Sequence, residues 1–119
     1  MTLIVDLFDA TEGPYSYLNA IENDAAGFES YRKKLWGSQS LVSRGATFFP
    51  QLADGDLWVF PNDLDAFRAE CSMVHDAAYD IASELWSKPE QSEHIRAYIA
   101  RFYAAIDLAV ERNAGVCIF

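Results

Sequence analysis

Residues 56–86 predict a buried strand that runs directly into a long helix; their sequence is DLWVFPNDLDAFRAECSMVHDAAYDIASELW. Residues 57–60 form a short apolar run bounded by Gly55 and Pro61, as expected for a covered strand. Asn62 is a suitable N-cap, and apolar residues then recur at three- and four-residue steps: Phe67, Cys71, Val74, Ala78, Ile81 and Leu85. We therefore expect one helix of about 25 residues, roughly 37 Å long, that spans the domain.

The segments before this stretch predict a strand, a helical region and an ambiguous connection. Residues 3–8 are rich in β-branched and apolar residues and favour a first strand. Helical spacing from about residue 15 to residue 36 favours a helix, which Asn23-Asp24 and Gly27 could divide into two. Residues 46–49 could pair with residues 57–60 as a hairpin strand, or residues 50–52 could form one helical turn.

The C-terminal third predicts a helix followed by a strand. Residues 87–90 (SKPE) have the pattern of a helix start, and apolar residues then follow one face to Val110. Residues 113–115 end this helix, and residues 116–119 are apolar to the last position, which favours a strand within a sheet. Because both terminal segments are apolar, we expect them to pair with each other or with the strand at 57–60.

These elements predict an α+β fold. Residues 1–119 are expected to form one globular domain of two layers, in which a small, mostly antiparallel sheet of 3–4 strands packs against three helices.

Charge is the compositional feature that most limits function. The chain has 18 Asp+Glu against 9 Lys+Arg, for a net charge of −9. This argues against nucleic acid or an anionic membrane as a partner and favours a basic protein, with solubility as the simpler explanation. The N-terminus lacks a positively charged leader region, and no stretch approaches about 20 apolar residues, so we expect a cytoplasmic protein.

No pattern in the chain predicts catalysis, a cofactor or a metal site. Cys71 and His75 have the i, i+4 spacing of a zinc-ligand pair, but packing of an apolar helix face is the stronger explanation for Cys71. The serines lie in no nucleophile-elbow pattern, and Asp54-x-Asp56 lacks the glutamate that ends a calcium loop. We therefore expect a protein without enzymatic activity, cofactor or metal.

Acidic residues on the predicted long helix are the best candidates for a binding surface. Four of them point away from the apolar stripe and are called here the acidic helix face: Asp65, Asp76, Asp80 and Glu84. Next to them lies a flank composed of Arg68, His75, Tyr79 and Trp86. This flank either packs on a neighbouring helix or, where exposed, has the composition of a protein-binding hot spot.

Three segments carry a resemblance to a known class of proteins: residues 35–38 (LWGS), 51–59 (QLADGDLWV) and 63–71 (DLDAFRAEC). In these segments the chain resembles the small acidic immunity proteins that accompany bacterial polymorphic toxins. The resemblance implies a non-enzymatic protein that binds a cognate toxin and blocks its active site or substrate groove.

For a basic toxin, we expect the contact surface to comprise Asp54, Asp56, Asp65, Asp76, Asp80 and Glu84. The alternative is an acidic homo-oligomeric scaffold or regulatory domain, in which Tyr79 and Trp86 mediate self-association, for example in a homodimer.

Overall fold

A computed structural model describes residues 2–11 and 16–119 of the chain. In this part of the chain five strands and four α-helices form an α+β fold, which confirms the predicted fold class. In chain order they are β1 (Thr2–Asp9), β2 (Ser16–Tyr17), β3 (Ala25–Phe28), α1 (Gln39–Val42), β4 (Leu57–Val59), α2 (Leu64–Asp76), α3 (Ala78–Trp86), α4 (Ser92–Arg112) and β5 (Gly115–Ile118). A π-helical turn, Arg32–Trp36, precedes α1, and 3-10 turns lie at Phe49–Ala53, Pro61–Asp63 and Pro89–Gln91.

The first and last strands occupy the centre of the sheet. Its order is β2-β1-β5-β4, β3 also pairs with β1, and every pairing is antiparallel. The β1–β5 register aligns Val5 with Ile118 and Phe8 with Gly115. One residue further on, the Ile4 N–H donates to the Phe119 carbonyl at 2.7 Å, and the Phe119 N–H returns a bond to the Ile4 carbonyl at 2.9 Å. The predicted pairing of the two terminal segments is therefore confirmed.

Side chains alternate between two faces of the sheet. The inner face packs on the helices through residues that are fully buried: Leu3, Val5, Leu7, Leu57, Val59, Val116 and Ile118. Four aromatic side chains stand at the centre of this core: Trp36, Phe49, Phe67 and Phe102. The outer face carries Ile4, Asp6, Phe8, Asp56, Trp58, Cys117 and Phe119, because these residues alternate with the inward ones.

The helix predicted from residue 15 to residue 36 is wrong. Residue 15 lies outside the described residues, and the rest of the segment contains β2, β3 and the π-helical turn. β3 hydrogen-bonds to an edge of β1, and Gly27 has a φ of +109°, which a right-handed helix excludes. Pairing with a strand about twenty residues away therefore overrides the local helical spacing.

The prediction of one continuous helix over residues 62–86 is also wrong, because two shorter helices occupy this segment. Ala77, at φ −92° and ψ 5°, separates α2 from α3, and the longest helix is α4, with 21 residues. The Arg96 side chain of α4 donates to the His75 carbonyl at 3.3 Å and so occupies an acceptor that a continuous helix would use. Asn62 is not an N-cap, because it lies within a 3-10 turn and α2 begins at Leu64.

A buried carboxylate decides the structure of the ambiguous segment at residues 46–52. Glu70 of α2 is only 8% exposed, and its carboxylate accepts the backbone N–H groups of Thr47 (2.6 Å), Phe48 (3.0 Å) and Phe49 (2.8 Å). These donors lie at the start of the 3-10 turn, where backbone N–H groups have no partner within the turn. The helical-turn alternative is therefore confirmed, and the hairpin strand is not formed.

We expect Glu70→Gln to lower the free energy of unfolding by at least about 2 kcal/mol. The side-chain amide of glutamine has one acceptor oxygen, whereas both carboxylate oxygens of Glu70 accept backbone N–H groups. Urea denaturation followed by tryptophan fluorescence measures the change. Glu111→Gln is the matched control, since Glu111 is exposed near the end of α4, and its effect is expected to stay within about 0.5 kcal/mol. Equal losses in the two variants would show that Glu70 has no special role.

Gly115 allows β5 to lie under an aromatic ring and beside β4. A Cβ built there would overlap the ring of Phe8, its cross-strand partner, and would approach the Val59 carbonyl oxygen to 2.6 Å. We expect Gly115→Ala to destabilise the protein by about 1–3 kcal/mol, as overpacking against a backbone atom does. In a thermal melt, Gly55→Ala is the control, because nothing lies within 4 Å of its added methyl group. An unchanged melting temperature for Gly115→Ala would contradict this packing.

Candidate functional site

The acidic helix face is formed by two helices. Asp65 stands in the first turn of α2, and Asp76 lies about three turns later at the end of the same helix, so both side chains point to one side. Asp80 stands in the first turn of α3, and Glu84 lies one turn further along. All four residues are exposed, as the sequence predicts. The break at Ala77 divides the face into two pairs of carboxylates.

Ion pairing neutralises one end of this face. An Arg44 nitrogen lies 2.5 Å from a Glu84 oxygen, and the Ser40 hydroxyl donates to the other Glu84 oxygen at 3.0 Å. These bonds, that of Arg44 first, lower the pKa of Glu84. Within the described residues, Asp65 and Asp80 form no ion pair, and Asp76 meets only the His75 ring, at 3.3 Å.

The remaining two predicted site residues lie elsewhere. Asp54 is exposed in the turn before β4, and Asp56 binds a nitrogen of Arg32 at 3.1 Å. Arg32 also donates to the Gly55 carbonyl at 2.6 Å, so this arginine holds the turn. Asp56 shares the outer face with Trp58, whereas the helices pack on the inner face. The structure therefore does not bring Asp56 to the acidic helix face.

The flank composed of Arg68, His75, Tyr79 and Trp86 is only partly packed, since the side chains of Arg68 and His75 remain 39% and 42% exposed. Arg68 pairs with Asp107 of α4 at 2.6 Å, and the Trp86 ring centroid lies 5.7 Å from that of Tyr31. Tyr79 is 57% exposed, which makes it the one flank side chain with a largely open surface.

The two thiols are inert packing groups. Cys71 and Cys117 are both buried and free, and burial raises the pKa of each, that of Cys117 to about 12. Neither thiol therefore ionises readily near neutral pH. In the described part of the chain, no group of three or more His, Cys, Asp and Glu side chains is placed to hold a metal ion.

A second candidate site, which is not predicted from the sequence, lies on the outer face of the sheet. A pocket of about 260 Å³ is lined by Ile4, Asp6, Tyr17, Asn19, Ile21, Asp24 and Phe119. Tyr17 reaches across the sheet from β2 and stacks on two rings, with centroid distances of 4.4 Å to Phe119 and 5.7 Å to Trp58. We call this cavity the outer-face pocket.

Asp6 is the most unusual group in the outer-face pocket. It is 5% exposed, and its Oδ1 accepts the N–H groups of Leu7 (2.7 Å) and Ala20 (3.1 Å), while Oδ2 accepts that of Asn19 (3.0 Å). Asn19 has a φ of 49°, a left-handed conformation that asparagine tolerates. The available sequence signal was the charge at the centre of an apolar strand, since buried carboxylates are rare unless they are partnered.

The outer-face pocket has a negative electrostatic character. The pKa of Tyr17 is raised, first by partial burial of its hydroxyl and then by the nearby Cys117, Asp56 and Asp6 side chains. The described residues that line it include two carboxylates and no lysine or arginine.

A larger groove of about 750 Å³ runs between α4 and residues 20–23. Alanines and other apolar side chains form most of its lining, and Arg101 is the only cationic residue among the described residues of the groove. The Arg101 guanidinium already donates to the Ala25 carbonyl at 2.6 Å. The groove thus offers an open apolar surface without polar groups that converge on a ligand.

No protein family, curated protein or solved structure matches this chain. Among the described helices, none combines the length and the apolar character needed to cross a membrane.

The thiol environments predict slow chemical modification. At pH 8 we expect a disulfide reagent such as DTNB to modify the native protein only as fast as it opens, since about one Cys117 in 10,000 is ionised at a pKa of about 12. In urea above the unfolding midpoint, both cysteines of the chain should react at once. Rapid modification of the native protein would contradict the buried, protonated state.

Proposed function

We propose that this protein is a non-enzymatic immunity protein that binds and neutralises a basic bacterial toxin in the cytoplasm. The observation that carries the proposal is the state of Asp65, Asp76 and Asp80. They are exposed, and no arginine or lysine in the described part of the chain forms an ion pair with them. A surface of this kind attracts a positively charged partner and accelerates its association.

The contrast between surface and buried acids supports this function. Asp6 and Glu70 are buried, and backbone N–H groups saturate much of their acceptor capacity. Asp65 and Asp80 stand in first helical turns, where a negative charge contributes only about 0.3–1 kcal/mol to stability. Folding therefore places only a weak requirement on the exposed carboxylates, which leaves them available to a partner.

Inhibition by this surface would follow from substrate mimicry. A toxin that cleaves nucleic acid has a basic groove, and a row of carboxylates can occupy that groove in place of phosphates. The three carboxylates without an arginine or lysine partner among the described residues, Asp65, Asp76 and Asp80, lie on two successive helices, so the row of negative charge continues past the break at Ala77.

The first experiment is co-expression with the product of the adjacent upstream gene, with growth rescue and co-purification as readouts. We expect the triple variant Asp65→Asn, Asp76→Asn, Asp80→Asn to weaken binding by at least about tenfold, mainly by slowing association, because the rate depends on local charge. Surface plasmon resonance at two salt concentrations measures the association rate.

The matched control is the triple variant Glu22→Gln, Glu93→Gln, Glu111→Gln, which removes the same three charges from other exposed positions. It should bind nearly as well as the wild type. Equal weakening by both triples would assign the effect to net charge, and no rescue by the wild-type protein would remove the immunity function.

One observation favours a second candidate function. Tyr79 is 57% exposed on α3, and an exposed aromatic side chain is common at protein interfaces. In this alternative the protein is an acidic homo-oligomeric scaffold. Sedimentation at several concentrations separates the two functions, because self-association that Tyr79→Ser abolishes would indicate the scaffold.

A further inference from the structure

We propose that the outer-face pocket binds an alkylguanidinium group. This site is independent of the acidic helix face, because it lies on the opposite face of the sheet from α2. The ligand class follows from three properties of the pocket: its buried carboxylate, its second carboxylate and its aromatic wall.

The buried carboxylate has an acceptor position left over. A carboxylate offers about four lone-pair positions, and the described residues fill three of those on Asp6. Its Oδ2 accepts a single bond, from the Asn19 N–H. Asp6 forms no ion pair with any described residue, and the groups of these residues that balance its charge are N–H dipoles. A bound cation would supply the missing counter-charge.

Asp24 supplies the second carboxylate of the outer-face pocket. It is half-buried, and its backbone carbonyl accepts the Val5 N–H at 2.8 Å, which fixes it beside β1. Asp24 likewise forms no ion pair among the described residues. Asp6 and Asp24 line the same small cavity, and a cation bound there would attract both carboxylates.

The aromatic wall selects the shape of the cation. Tyr17 and Phe119 line the pocket, and Ile4 and Ile21 add apolar surface for an alkyl stem. A guanidinium is planar, stacks on aromatic rings and donates several hydrogen bonds in one plane, whereas an ammonium is a strongly hydrated point charge. The volume of about 260 Å³ is below the range of about 300–1,000 Å³ typical of small-molecule sites, which fits one side-chain-sized group.

The proposal is tested by titrating the full-length protein with n-butylguanidinium in ¹H–¹⁵N correlation spectra. The amide signals of Leu7, Asn19 and Ala20 report directly on the pocket, because these N–H groups donate to Asp6. We expect saturable shifts at these amides, with a dissociation constant on the order of 1–10 mM. Neutral n-butylurea has nearly the same shape and should bind at least about tenfold more weakly.

Asp24→Asn is the informative variant, and we expect it to weaken n-butylguanidinium binding about fivefold or more. Asp6→Asn is less suitable, because the Asp6 carboxylate holds the backbone of residues 19–20 and the variant could lose its fold. Asp54→Asn is the control: it removes the same charge from an exposed turn outside the pocket, and binding should not change.

The proposal would be overturned if n-butylguanidinium gave no saturable shifts at these amides up to about 50 mM. Equal binding of n-butylurea, or unchanged binding to Asp24→Asn, would overturn it as well.

A blocked peptide with a central arginine then identifies the source of the group. If this peptide binds as tightly as n-butylguanidinium, the natural ligand is an arginine side chain of another protein. If the peptide is excluded, the ligand is a free small molecule, and either result is consistent with guanidinium recognition.

Discussion

The pairing of β1 with β5 is the interaction on which the rest of the structure depends. It brings the first and last described elements together at the centre of the sheet, with backbone hydrogen bonds that continue to Ile4 and Phe119. Through this pairing the inward side chains of both strands form one buried surface for the helices. It also sets Asp6 beside Cys117 on the outer face, where Tyr17 and Phe119 enclose the outer-face pocket.

Carboxylates serve three separate purposes in this fold. Glu70 organises the connection before β4 by accepting three successive backbone N–H groups, and Asp6 does the same for residues 19–20. Glu84 and Asp56 pair with arginines from distant parts of the chain. Asp65, Asp76 and Asp80 remain on the surface, where desolvating a charge is unnecessary and a partner can reach them. The net charge of −9 therefore combines carboxylates that stabilise the fold with carboxylates that remain available to a partner.

The two proposed sites lie on opposite sides of the sheet and recognise positive charge in different ways. The acidic helix face is open and screened by solvent, so it acts mainly through the rate of encounter. The outer-face pocket is small, partly enclosed and aromatic, so it favours the shape of one group.

The sequence alone determined the elements whose local pattern agrees with their tertiary environment: the strands at residues 3–8, 57–60 and 116–119, and the helix that ends before residue 115. It could not determine the features that depend on a partner far away in the chain. β3 depends on pairing with β1, and the break at Ala77 is accompanied by the bond from the Arg96 side chain to the His75 carbonyl. Asp6 and Glu70 depend on the N–H groups of residues 19–20 and 47–49, respectively. Periodicity records which side of an element is apolar, whereas hydrogen bonds between distant segments form only once the tertiary structure has brought donor and acceptor together.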